Sequence, residues 1–424
     1  MPGATPLAST YRERSPWLED SAPLAAPAAA SPPAVADAVV VGAGLTGLAA
    51  AAELARRGRK VVVLERGWGD AGATPGSIGL VHPGLGPRLE TLVRRYGPWA
   101  PTLHQLTEAA FDHVENLVPG LAVNPGYART GHLLVARSRR QVEALQRARA
   151  LHEELLGETL TLLPRERLVA EAGTAAYAAG LLTPRAGALH PGRLLAGMAT
   201  AARAAGAELW PATPALRLVG APGPGWRIDT PRGAVRAGAV LIATNGAGGP
   251  LVPWLHRRLL PAVHHAIATE PLSQDLARTV SPHGWTVTDM RRRPCRWWLD
   301  PQGRLLFGAE TGAMPLAVAR DRLYRLLTAL YPQLHGTVLT HAWSAVEGRT
   351  TDRVPRVGRQ DGVAYALGYG GTGLAQAPAF GAAAGAWLAG GPPLPLEGLR
   401  MPLPWPPGRR ALAAAWVRWR SGPG

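Results

Sequence analysis

Apolar positions along this chain follow three different periods. Ala38–Val41 and Val61–Leu64 are unbroken apolar runs, the mark of strands buried on both faces. Between them, Ala51 and Leu54 continue an apolar stripe at helical spacing, and Gly58 supplies a left-handed stop. Strand, helix and strand in that order predict a parallel unit. Three- and four-residue spacing returns over 88–118, Ser138–Leu156, His190–Ala205 and 320–331, predicting further helices. Ala207–Trp210 reads as a strand after Gly206. Leu216–Val219 and Trp226–Thr230 read as a hairpin around a Pro/Gly turn, and Val240–Ala243 as a short buried strand. From 260 to 310 the period drops to two. Ala262–Thr269, Trp285–Thr288, Arg296–Leu299 and Arg304–Phe307, with turn residues between them, predict an antiparallel sheet. Val363–Leu367 is again a buried-type strand, and the glycines of 368–373 lead into a small-residue helix ending at Leu388.

The predicted fold class is α/β. A Rossmann-like parallel-sheet domain is assembled from the discontinuous segments 37–88, 186–250 and 343–391. A second domain with a large antiparallel sheet takes 89–185 and 251–342. Residues 1–36 read as an extended arm anchored by Tyr11 and Trp17, and 392–424 as a Pro-rich tail with a short helix carrying Trp416 and Trp419. Gly67–Gly86 is glycine-rich, too long for an ordinary turn, and placed beside the first glycine motif.

Composition narrows the picture. The 424 residues are 47% hydrophobic, yet no apolar run reaches the ~18 residues that a membrane span needs. The arm lacks the basic start and unbroken apolar stretch of a secretory signal. Cys295 is the only cysteine, so no internal disulfide can form and a reducing cytoplasm suits the chain. The net charge of +16 is almost wholly arginine, since Lys60 is the only lysine. It is spread along the chain, with short clusters at Arg137–Arg140, Arg291–Arg296 and Arg409–Arg420. A nucleic-acid surface concentrates charge on one face, so a solvated arginine surface and no nucleic-acid partner are expected. An anionic substrate stays compatible. No metal-ligand set is expected.

Candidate chemistry starts at the glycines. Gly42, Gly44 and Gly47 form G-x-G-x-x-G directly after the first strand. The first permits a tight turn, the second lets backbone approach a pyrophosphate, and the third lets the helix lie close to the sheet. Glu65, at the tip of the second strand, stands where a ribose diol would bind. Gly368–Gly373 repeats the strand–glycine–helix order far along the chain. Two such units in one parallel sheet would aim both helix N-termini at one long ligand, a geometry that suits FAD.

An ordered series of segments then carries a resemblance: Tyr11–Asp20, the glycine unit, Gly72–Gly84, Gly187–Pro191, Ile242–Gly246, Ile267–Leu272, Gly303–Gly308, Thr351–Pro355 and Gly368–Gly373. Together they resemble the D-amino-acid-oxidase-type family of FAD-dependent oxidoreductases, in the branch of the gamma-glutamylputrescine oxidase-like amine oxidases. The resemblance implies that Gly42, Ala43, Gly44, Leu45, Thr46 and Gly47, with Glu65 and Arg66, hold the ADP half of FAD. Ala73 and Thr74 would touch the pyrophosphate, and Gly79 and Leu80 the flavin's edge. Ala215 would meet the adenine, and Ala243 and Thr244 the ribityl and adenosine portions. Gly371, Thr372, Gly373 and Leu374 would offer amides to the flavin N1/C2 carbonyl region, where negative charge develops on reduction.

Several positions depart from that pattern. Gly76-Ser77-Ile78 stands where relatives often have Arg-Asn-Gly, and Thr372 where they have His. Ala345 stands where some relatives carry a cysteine bonded to the flavin, so non-covalent FAD is expected. Leu306 and Ala375 replace lysines of sarcosine-oxidase-like relatives. The first replacement leaves oxidase against dehydrogenase open, and the second weakens the case for a simple amino-acid substrate.

The implied reaction oxidises the C–N bond of a small amine or amino-acid derivative to an imine. Hydride passes to flavin N5, and O2 or another acceptor reoxidises the flavin. The alternatives are a flavoenzyme acting on a modified tRNA or other anionic substrate, and a non-catalytic flavin-bearing scaffold. Pocket candidates are His82, Tyr369, Trp343, one of the adjacent pair His264 and His265, and Trp298. Aromatic walls can hold an ammonium by cation–π attraction. Arg291–Arg293 could bind a carboxylate or stay solvated, and Cys295 reads as a buried core thiol.

Overall fold

The computed structural model describes residues 4–21, 24–27, 29–70 and 72–405. The expected tail helix with Trp416 and Trp419 lies outside them. Among the described residues no helix is long and apolar enough to cross a membrane.

One sheet is built on a parallel core. Its strands run in the order Glu208–Trp210, Val61–Leu64, Val35–Val41, Gly233–Ile242 and Val363–Leu367, each parallel to the next. These are the apolar runs of the sequence, and Val39, Val40 and Val63 are wholly buried because helices and strands cover both faces. Gly233–Ile242 is long enough to take two neighbours on one side. Its first half pairs antiparallel with Gly225–Thr230, which continues to Arg217–Ala221, and its end pairs with Val363–Leu367. Arg356–Gln360 adds an antiparallel edge.

The helices Leu45–Arg56 and Gly373–Leu388 pack against each other in the core beside this sheet. Small residues decide how close they come. A Cβ at Gly381 would overlap the Thr46 carbonyl oxygen, and one at Gly385 would stand 2.5 Å from that of Ala50. The closing helix is therefore rich in Gly and Ala because backbone meets backbone there.

The second sheet has nine strands among the described residues. Their order is Leu7–Arg12, Leu339–Arg349, Leu260–Pro271, Arg304–Glu310, Cys295–Leu299, Thr286–Asp289, His132–Ala136, Ala179–Thr183 and Thr161–Pro164. Most neighbours are antiparallel; Leu7–Arg12 on Leu339–Arg349 and Thr286–Asp289 on His132–Ala136 are parallel. Leu316–Leu330 covers one face through Leu323, Leu327 and Leu330, in a core that includes Trp297 and Phe307. The arm joins this sheet as an edge strand and buries Trp17.

Three expectations are corrected. The helix expected over 88–118 is two helices, Leu89–Tyr96 and Trp99–Leu117, because Gly97 takes φ +53 and Pro98 follows it. Strands at His132–Ala136, Thr161–Pro164 and Ala179–Thr183 extend the second sheet where only helices were read nearby. Leu339–Arg349 is one continuous strand of that sheet, so the division placed at residue 343 cuts through it.

Candidate cofactor and substrate site

Gly42 turns with φ +106, and a Cβ there would stand 2.9 Å from the Ala243 carbonyl oxygen. A Cβ at Gly47 would overlap the Gly42 carbonyl oxygen, so Gly47 seats the helix on the turn rather than facing a ligand. Gly44 differs. It begins the helix in extended geometry, and a Cβ on it would meet nothing within 4 Å. That open face is the approach a diphosphate needs. The Glu65 carboxylate accepts from Ala43 N–H and from Gly67 N–H, both at 2.8 Å, and so fixes the turn to the second strand's tip.

The closing motif meets this turn. Tyr369 is buried, its hydroxyl 2.7 Å from that of Thr46, and Thr372 donates its hydroxyl to the Tyr369 carbonyl at 2.8 Å. Between the two glycine turns runs a cavity of about 800 Å³. Gly42, Ala43, Gly44, Leu45 and Thr46 border it with Glu65 and Arg66. So do Ala73, Thr74, Leu80, Ala215, Ala243 and Thr244, and at the other end Gly371, Gly373 and Leu374. Three residues read as cofactor contacts lie just behind the lining: Gly47, Thr372, and Gly79, whose missing side chain admits the Leu189 carbonyl.

Of the pocket candidates, His82, His264, His265 and Tyr369 border the cavity. Both adjacent histidines do so, although their rings take different partners. His264 Nε2 lies 3.0 Å from Glu347 Oε1, and His265 Nδ1 lies 2.5 Å from the Thr311 hydroxyl. Trp298 and Trp343 are not wall residues. Their indoles donate to the Ile78 and Gly76 carbonyls at 2.5 and 3.0 Å, behind the segment that does form the wall. Ala345 borders the cavity with its Cβ packed against Gly76, whereas Cys295 is buried outside the lining, its thiol pushed up to about 12 by burial and Asp289. Leu306 and Ala375 are buried and absent from the lining.

The charged end of the cavity was not read from the sequence. Arg291 pairs with Asp289 at 2.8 Å, Arg293 donates to the Thr311 carbonyl at 2.7 Å, and Arg292 is exposed. None of the three borders the cavity; Arg296 does. Period two on Cys295–Leu299 puts Arg296 on the same face as Trp298 and opposite Cys295 and Trp297. Glu347 lies beside it. Burial alone would raise the Glu347 carboxyl, but His264, Arg349 and Arg296 hold it down to about 2. Arg349 donates to both Glu310 at 2.7 Å and Glu347 at 3.1 Å. Arg296 has no hydrogen-bond acceptor among the described residues; its nearest charges act at longer range.

His82 stacks on His132 with ring centroids 5.1 Å apart. Burial lowers both pKa values, that of His132 well below the ordinary value, so both rings are neutral at pH 7. His82 Nδ1 lies 2.9 Å from the Pro83 carbonyl. A carbonyl only accepts, so the proton sits on Nδ1 and Nε2 keeps its lone pair.

The family described as FAD dependent oxidoreductase matches residues 37–387. The gamma-glutamylputrescine oxidoreductase of Escherichia coli is 30% identical over 356 residues, covering 80% of each chain. The probable oxidoreductase OrdL of Haemophilus influenzae is 28% identical over 346 residues, again covering 80% of each. Among solved structures, glycine oxidase from Geobacillus kaustophilus superposes with a TM-score of 0.73 at 21% identity. It covers 85% of this chain and 96% of that one, a likeness of fold.

Proposed function

This chain belongs to the FAD dependent oxidoreductase family (DAO), and from that premise we propose that it oxidises the C–N bond of an amine or amino-acid derivative to an imine. The residues present fit FAD. The open Gly44 face and the amides starting at Leu45 suit a diphosphate, and the Glu65 carboxylate suits a ribose diol. Ala215, Ala243 and Thr244 would border the adenosine and ribityl portions. Gly371, Gly373 and Leu374 would border the ring, with Ala345 offering no atom for a covalent bond. When bound there, FAD supplies the hydride acceptor.

The chain's own residues bind, orient and deprotonate. Arg296, a cation without an acceptor of its own, orients an anionic end of the substrate. Glu347, kept ionised, faces the positive amine. The lone pair on His82 Nε2 takes the ammonium proton, since only a neutral amine gives up hydride readily. The observation that carries this reading is one continuous cavity bounded by both glycine turns and ending at Arg296 and Glu347. The test is anaerobic mixing of the flavin-loaded protein with polyamines, N-methyl amino acids and D-amino acids. Bleaching by amines that also bear a carboxylate supports the proposal; no bleaching by any amine, alongside a stable macromolecular complex, would replace it with a flavin-bearing scaffold.

A further inference from the structure

Three consecutive carbonyls on the cavity wall are each taken by a tryptophan from a different part of the chain. The Gly76 carbonyl accepts from Trp343 at 3.0 Å, that of Ser77 from Trp17 at 2.6 Å, and that of Ile78 from Trp298 at 2.5 Å. All three indoles are buried, and none borders the cavity, whereas Gly76, Ser77 and Ile78 all do. The indoles therefore stand behind this wall and pull its carbonyls away from the cavity.

A trans peptide points its C=O and its N–H in opposite directions. Turning three carbonyls back turns the following amides forward. Two of these have partners in the chain: Ser77 N–H donates to the Thr74 carbonyl at 3.1 Å, and Gly79 N–H to the Ser77 hydroxyl at 3.1 Å. The Ile78 N–H has no acceptor among the described residues. It belongs to the peptide whose carbonyl Trp17 holds. The Ile78 side chain is meanwhile pinned near Gly308, where a Cβ would come within 3.2 Å of its Cγ2.

We propose that Trp17, in the N-terminal arm, is a positioning residue for the cofactor: by holding the Ser77 carbonyl it presents the Ile78 amide as a hydrogen-bond donor to the flavin ring. The arm is then part of the cofactor site rather than only an edge of the second sheet. This rests on the reading that the cavity holds FAD, which wild-type binding tests separately.

Two measurements test the proposal. In the first, FAD is titrated into apoprotein prepared from the Trp17→Phe and wild-type holoenzymes, and the bound flavin spectrum is recorded. Losing one oriented donor is expected to weaken FAD about tenfold and to displace the visible flavin band. The Trp99→Phe control, at a half-exposed indole, should match wild type. A Trp17→Phe protein with a lowered Tm but unchanged FAD affinity and spectrum would show a packing role only and overturn the proposal. The second uses wild type alone, so a poorly folding variant cannot block it. In residue-level amide exchange, the Ile78 amide should exchange readily in apoprotein and be protected by FAD. An Ile78 amide already protected without FAD, or unaffected by it, would equally overturn the proposal.

Discussion

The hydroxyls of Thr46 and Tyr369 lie 2.7 Å apart, a single bond across 323 positions of sequence. Thr46 is in the first turn of the helix that follows the first glycine motif, and Tyr369 stands within the second. Burial raises the pKa of the Tyr369 phenol, so it remains a neutral donor or acceptor at any ordinary pH. The bond fixes the spacing of the two helix starts that bound the cavity. Tyr369→Phe should fold with a Tm lowered by the equivalent of about 1 kcal/mol and weaken FAD several-fold. Titration of apoprotein with FAD checks it; unchanged affinity would mean that helix packing alone sets the spacing.

The two glycines of the first turn should fail differently. A methyl at Gly44 meets no protein atom within 4 Å and its φ of −74° is ordinary, whereas one at Gly47 overlaps the Gly42 carbonyl. Gly44→Ala should therefore keep the wild-type Tm and lose FAD affinity by tenfold or more, because only the ligand occupies that space. Gly47→Ala should lower the Tm itself, by the equivalent of roughly 2–3 kcal/mol. Thermal melts of the two apoproteins separate the cases, and equal melts would contradict the assignment.

Arg296 gives the substrate prediction. Arg296→Met should raise KM for a carboxylate-bearing amine about 30- to 100-fold with a smaller fall in kcat, in line with loss of a charge-assisted hydrogen bond. An uncharged amine should be little affected. Steady-state kinetics with a matched acid and amide pair decides it. An equal loss for both members would move the role of Arg296 from binding to structure.

Away from the cavity, His104, His152 and Glu158 bring ligating atoms within 4.8 Å of one another. His104 Nε2 lies 3.3 Å from Glu108 and 3.2 Å from Glu158, and Arg185 donates to Glu108 at 2.7 Å. The group balances its own charge and behaves as an ion-pair network. Burial would lower the His104 pKa, but Glu108 and Glu158 raise it to about 9 from 6.5. Burial would raise that of Glu158, but His104 and His152 lower it to about 2 from 4.5. The His104 contribution to stability is thus complete below pH 6.5 and is lost as pH rises through 9. The Glu158 contribution is complete above pH 4.5 and is lost as pH falls toward 2. His104→Gln should cost roughly 2–3 kcal/mol between pH 4.5 and 6.5 and progressively less toward pH 9. Melts of wild type and variant across that range check it, and a pH-independent difference would contradict it.

Much of the fold was legible because burial on both faces leaves a plain mark. Val61–Leu64 and Val363–Leu367 are strands with the bounds read from their apolar runs. Leu339–Arg349 was missed because Glu347 and Arg349 sit where alternation asks for apolar residues, and they sit there because that face ends at the charged cavity. The same cause hid Arg296. Period two tells which face a side chain takes, and it set Trp297 and Trp298 on opposite faces of their strand. It cannot tell which layer lies between a side chain and the cavity. The 76–78 segment comes from far away in sequence and occupies that layer, turning two expected wall residues into its supports.

The proposed chemistry requires FAD to lie, without a covalent bond, between the two glycine turns. Acid precipitation of the purified protein followed by absorbance of the supernatant tests this directly. The expected result is yellow protein that releases about one FAD per chain and leaves a colourless pellet. Colourless protein that cannot be reconstituted with FAD, or flavin that stays in the pellet, would contradict it.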